Sequence, residues 1–102
     1  MRQIEKDMLR AINERTNFRK DNTEVRVIIL DGNTISQVFW HGNHIADFVH
    51  APQWGVGWTE INRDTLAQWP TVTTKSRLRA LGVNLTQARG VISIDGEVVC
   101  HA

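Results

Sequence analysis

The chain has 102 residues, 41% hydrophobic and 23% charged, a usage that suits one domain with one core and no metal or disulfide staple. Its single cysteine, Cys100, excludes an internal disulfide and fits a reducing compartment. No stretch approaches the roughly 18 apolar residues of a membrane span, and residues 1–15 lack the apolar run of a signal peptide, so a soluble, cytoplasmic protein is expected.

The net charge of +1 conceals a segmental pattern. Residues 1–20 carry six Lys/Arg against three Asp/Glu, residues 21–64 carry two against six, and residues 65–90 carry four against none. The spacing of Ile4, Met8, Ala11 and Ile12 predicts a first helix over about residues 2–15, ended by Asn17, with its charges on the opposite face. Thr23–Leu30 reads as a strand with Val25, Val27 and Ile29 on one face, and Asp31-Gly32 turns it into a second strand, Thr34–Trp40. Gly42-Asn43 gives the next turn, before a third strand, His44–Val49.

Pro52, Gly55 and Gly57 then mark a loop around Trp54, with Trp58 directly after it. A fourth strand falls on Trp58–Ile61 or on Thr65–Trp69. The second is preferred, with Asn62-Arg63-Asp64 as a turn, because it runs directly into a helix cap at Thr74. That cap opens a short basic helix through Leu78 and Leu81, ended by Gly82. Val83–Arg89 is ambiguous. Val91–Ile94 and Glu97–Cys100 close the chain as a hairpin about Asp95-Gly96. The expected fold is a single α+β domain spanning residues 1–102: N-terminal helix, antiparallel three- to four-stranded meander, short second helix and C-terminal β-hairpin. No repeat, low-complexity stretch or linker suggests a second domain.

Three runs carry a family resemblance: Asn22-Thr23-Glu24-Val25, then His41-Gly42-Asn43-His44-Ile45-Ala46, then Trp69-Pro70-Thr71 leading into Thr73–Leu81. In this order they resemble small proteins encoded by tailed bacteriophages. The chain departs from that pattern in its longer QWGVGWTEINRD segment and in Arg79, where Asn is more usual. The resemblance implies a protein made in the cytoplasm of an infected bacterial host, acting by binding a host or viral macromolecule. Inhibition of a bacterial defence component is one such role.

Reactive groups are sparse. His41, His44 and His50 lie within ten positions, but two flank a turn, and the third sits about six residues, or about 20 Å, along the next strand. A metal site is therefore not expected. A small metal-dependent nuclease or hydrolase around His41, His44 and Asp47 is the weakest reading, since nothing in the sequence pairs the acids Asp47, Glu60 and Asp64. Thr73-Thr74-Lys75-Ser76 lacks the glycines of a phosphate loop, and Cys100 and His101, adjacent on a strand, point to opposite faces. No catalytic residue and no cofactor are expected.

Four tryptophans stand beside three Phe and no Tyr. Trp40 and Trp69 fall within predicted strands and are expected in the core. Trp54 and Trp58 bracket Val56 in a loop that cannot easily bury both, so Trp54, Val56 and Trp58 are the expected contact residues for a host or phage protein. The alternative is nucleic-acid binding by Lys75, Arg77, Arg79 and Arg89, where helix N-terminal amides and cations meet phosphates together. A homodimer formed edge to edge through the final hairpin is a further expectation.

Overall fold

Ile4, Met8, Ala11 and Ile12 recur at helical spacing, and the computed structural model, which describes residues 1–51 and 56–101, carries them on α1 (Gln3–Glu14). The Arg2 backbone N–H donates to Glu5 Oε1 at 3.2 Å, which fixes the start of the helix. It ends one residue inside the predicted boundary. Arg15 turns left-handed there, and the Arg15 and Thr16 N–H groups donate to the carbonyls of Ile12 and Ala11. The buried side of α1 presents Met8, Ala11 and Ile12, and with them a charged residue, Glu5.

Five antiparallel strands follow in chain order: β1 (Phe18–Lys20), β2 (Thr23–Leu30), β3 (Asn33–Trp40), β4 (Asn43–Ala51) and β5 (Val56–Ile61). The sheet is thus wider than the three or four strands expected: β5 contains the less preferred fourth strand, Trp58–Ile61, and β1 is additional. Asp21-Asn22, Asp31-Gly32 and His41-Gly42 form the first three turns, each with positive φ at both residues, the mirror-image turn whose twist matches the flanking strands. The third turn is therefore His41-Gly42 rather than Gly42-Asn43, and Asn43 already belongs to β4. Two-residue loops leave no freedom in pairing, so Ile28 faces Ile35 and Val25 faces Val38. Between Val38 and Phe39 the register slips by one, leaving Ile45 as the extra residue of a bulge, with its side chain in the core.

The preferred fourth strand, Thr65–Trp69, is a helix instead. Asn62 Oδ1 accepts the Thr65 N–H at 3.2 Å, so Asn62-Arg63-Asp64 is a cap and first turn, opening α2 (Arg63–Gln68). Trp69 follows that helix and is 50% exposed, not in the core. The basic helix, α3 (Val72–Ala80), begins a turn earlier than expected, because Thr71 and not Thr74 is its N-cap. The ambiguous segment supplies β6 (Leu85–Ala88), which joins β7 (Val91–Ile94) and β8 (Glu97–His101) in a three-stranded sheet rather than a hairpin. Its turns, Arg89-Gly90 and Asp95-Gly96, repeat the mirror-image geometry.

One core joins these parts. Met8 and Ile12 of α1, Val25, Val38 and Ala46 of the large sheet, Leu66 of α2, Leu78 of α3, and Leu85, Ile92 and Ile94 of the small sheet form a single buried cluster. The helices and the small sheet therefore all lie on one face of the large sheet, its inner face.

Candidate functional site

The alternation of β2 to β5 sends every second side chain to the opposite, outer face. Strand pairing then aligns these residues in rows that run across the sheet. One row reads Arg26, Gln37, Asp47 and Glu60, and the next reads Ile28, Ile35, Val49 and Trp58. The first is polar with its cation at one end and its acids at the other; the second is wholly apolar. Leu30 lies beyond Ile28 at the tip of the same hairpin. Within the apolar row Ile35 and Val49 are buried, while Ile28 at 36% and Trp58 at 42% are exposed at its two ends.

The polar half of this face is held by contacts along its length. Arg26 donates to both carboxylate oxygens of Glu24 at 2.7 and 3.2 Å, and its guanidinium lies 4.5 Å from the centre of the Phe39 ring. Phe39 stacks on His44 with 5.0 Å between ring centres, and His44 Nε2 lies 2.5 Å from Asp47 Oδ1. The Glu24 carboxyl is held below its ordinary range, chiefly by the hydrogen bonds from Arg26.

Of the expected protein-binding residues, Trp58 stands on β5 rather than in a loop, and its indole N–H donates to Glu60 Oε1 at 3.0 Å. Val56 begins the same strand. Trp54 lies outside the described residues.

The expected nucleic-acid set separates. Arg77 is withdrawn into the interior, where its Nη1 donates to Glu5 Oε2 and its guanidinium sits over the Trp40 ring at 5.4 Å. Such an arginine presents no charge to a phosphate. The other three remain at the surface. Arg79 Nε donates to the Leu85 carbonyl at 3.1 Å, Lys75 Nζ to the Gln87 side chain, and Arg89 occupies the turn after β6.

The histidines also part company. His41 is exposed in its turn with its ring edge-on to Trp40. His50 is buried and bonded through Nε2 to Ser36 Oγ at 2.9 Å; burial first, and then the charge of Arg15, push its pKa below the usual histidine value. Ser36 is fully buried, while His50 lines an open pocket of about 250 Å³ with Leu9, Ile12, Arg15 and Phe48. His44 and Asp47 line an open cleft of about 400 Å³ together with Glu60 and Asp64. The fold thus gathers three acids that the sequence left scattered, although among the described residues no three His, Cys, Asp or Glu side chains are placed to hold a metal ion. Alternation combined with two-residue loops could have revealed the rows, since it fixes Ile28 opposite Ile35 without any tertiary knowledge.

Among the described residues no helix is long and apolar enough to cross a membrane. No curated protein and no solved structure matches the chain. The family model of the Kyanoviridae Gp96 protein matches it over residues 1–102, so the chain belongs to that family of phage proteins.

Proposed function

We propose that this phage protein is a non-enzymatic binding protein whose partner, a host or viral protein, docks on the outer sheet face around Trp58. One feature supports the reading above others: an apolar row crosses four strands and ends at the sheet edge in a largely exposed tryptophan. Ile28 and Leu30 extend the exposed apolar surface at the other end. Single exposed apolar residues are ordinary, but exposed apolar residues at both ends of one row, joined by buried ones, stand out from them. Tryptophan is enriched among interface residues worth about 2 kcal/mol or more. A bacterial defence component inhibited by the phage is one partner of this kind. Affinity capture from nuclease-treated infected lysate, comparing wild type with Trp58→Ala, tests it. Wild type should retain a discrete protein and the variant should lose it, with thermal midpoints nearly equal. Equal capture by both would remove Trp58 from the site.

A second reading has its own observation. Arg79 and Lys75 of α3 bond to Leu85 and Gln87 of β6, and Arg89 follows that strand, so three cations line it in a stretch with no acid between Asp64 and Asp95. That row can track a nucleic-acid backbone. Gel shifts with single and double strands should show binding that weakens steeply with salt and is reduced by Lys75→Glu and Arg89→Glu. An absence of retardation at low salt removes this reading.

A further inference from the structure

The geometry points to a second copy of this chain as the occupant of the outer face, the two large sheets stacked about a two-fold axis parallel to their strands. This inference rests on the docking role proposed above for that face and names the partner. An axis in this direction reverses strand order but keeps position along the strand, so β2 lies opposite the partner's β5 and β3 opposite the partner's β4. The observed registers then decide what meets what. The exposed Ile28 faces the partner's exposed Trp58, and between these contacts the buried Ile35 lies over the partner's equally buried Val49. In the next row Arg26 faces the partner's Glu60, and Gln37 faces the partner's Asp47. Every apolar residue of the two rows meets an apolar one, and each acid meets a cation or an amide.

A two-fold axis perpendicular to the strands has no such property. Placed between the two rows, it would lay the polar row over the apolar one and set Arg26 against the partner's Ile28; placed on the apolar row, it would set like against like there and leave Arg26 without the partner's Glu60 opposite it. Self-complementarity under one operator is what an isologous interface requires, because each contact must occur twice. The rows meet it through their order across the strands: cation at the β2 end, acids on β4 and β5, and apolar residues at all four positions of the adjoining row.

Stacked sheets lie about 10 Å apart and turn by about 30°, which keeps central pairs in register and leaves outer ones to long side chains. The outer positions here hold Arg26, Glu60, Ile28 and Trp58, three of which are long or wide enough to span such an offset. Arg26 now bonds to Glu24 and lies over the Phe39 ring, surface contacts of little strength that a bond to the partner's Glu60 would replace. Trp58 and Ile28 are the exposed members of the apolar row, and stacking covers both. Edge pairing through β8, where Val98 is exposed, is the rival route to a dimer and buries neither.

Sedimentation equilibrium of the full chain up to about 100 μM tests the inference on wild type, Trp58→Asp, Arg26→Glu, Glu60→Arg and the double charge swap. Wild type should dimerise reversibly. Trp58→Asp should be monomeric, and each single charge reversal should weaken dimerisation by about tenfold or more. The double swap should recover most of that loss, since the attraction is restored with its sign exchanged. Arg26 and Glu60 are exposed, so circular dichroism should show the charge variants folded even if Trp58→Asp is not. A monomer at all concentrations overturns the inference. So does a dimer indifferent to Trp58→Asp and to both reversals, which assigns it to the β8 edge, and so does a double swap no better than the single variants. A monomer whose Trp58 still captures another protein sinks the second copy and keeps the docking face; a monomer that captures nothing sinks both.

Discussion

Arg77 Nη1 lies 2.8 Å from Glu5 Oε2, and both side chains are 4% exposed. The pair joins α1 to α3 across the core, with Ser76 Oγ donating to the same carboxylate oxygen at 2.5 Å and Arg77 Nε to Thr23 Oγ1 at 3.2 Å. Removing one partner strands a buried charge. Arg77→Ala should therefore cost about 3–5 kcal/mol, while joint replacement by apolar residues of similar volume, such as Arg77→Met with Glu5→Leu, should be far milder. Urea denaturation of the three proteins measures both. A loss below about 1 kcal/mol for Arg77→Ala would show that the ion pair does not hold the two helices together.

Acid should lower the stability of the protein over two ranges of pH. Burial pushes the His50 pKa below 6.5, helped by Arg15, so the folded state prefers the neutral ring; its contribution is complete above 6.5 and is lost as the pH falls toward the lowered value. For Glu5 burial alone would raise the pKa, but hydrogen bonds from Ser76, Arg77 and the Arg2 backbone outweigh it and hold the carboxyl below 4.5. That contribution is present above 4.5 and is lost as the pH falls through the lower folded value. The urea midpoint against pH should thus decline first below about 6.5 and again below about 4.5. His50→Asn should flatten only the upper limb. A wild-type midpoint that is level between about pH 7 and about pH 5 would contradict the role given to His50.

What the sequence made legible was the local grammar. Asp31-Gly32 and Asp95-Gly96 announce hairpins because their turn demands positive φ, which Gly provides without strain and Asp tolerates. Asp21-Asn22 and Arg89-Gly90 make the same turn with weaker signatures, and β1 and β6 were missed with them. The α2 segment reads as a strand because Thr65, Leu66 and Trp69 suit either state; Asn62 decides it by a cap that competes with the turn reading. Arg77 reads as a surface cation in the sequence because its partner, Glu5, is 72 positions away. Charge counts along a segment carry no information about such pairings. The candidate face shows the same limit in reverse, since Trp58 stood out in the sequence while Ile35 and Val49, which place it in a row, did not.

A close approach at the sheet edge gives a further test. A Cβ added to Gly57 would meet the Phe48 ring at 2.7 and 2.8 Å and the Val49 carbonyl at 3.1 Å. The Val49 carbonyl belongs to the sheet backbone, and the ring, though it borders two open pockets, lies edge-on to His50 at 4.9 Å between ring centres. Gly57→Ala should therefore destabilise by roughly 1–3 kcal/mol as an overpacked contact, despite the usual gain of strand propensity over glycine. Combining it with Phe48→Leu should recover part of the cost by removing the atoms it strikes. A neutral or stabilising Gly57→Ala in a thermal melt would mean that β5 can shift away from β4.

The start of α3 can be located by substitution. Thr71 Oγ1 accepts the Thr74 N–H at 3.1 Å, and the two hydroxyls lie 2.9 Å apart, so Thr71 supplies the cap and Thr74 a buried partner behind it. Thr71→Ala should cost about 1 kcal/mol, within the 0.5–2 kcal/mol typical of lost caps, and Thr71→Ser should restore nearly all of it, since only the oxygen is needed. Thr74→Val keeps the buried volume and loses one hydroxyl contact, for roughly 0.5–1.5 kcal/mol. In the pair Thr71→Ala with Thr74→Val the costs should fall short of additive, because each variant has already removed the bond between the hydroxyls. If Thr71→Ala were neutral while Thr74→Val carried the whole loss, the helix would begin at Thr74, one turn later than its hydrogen bonds place it.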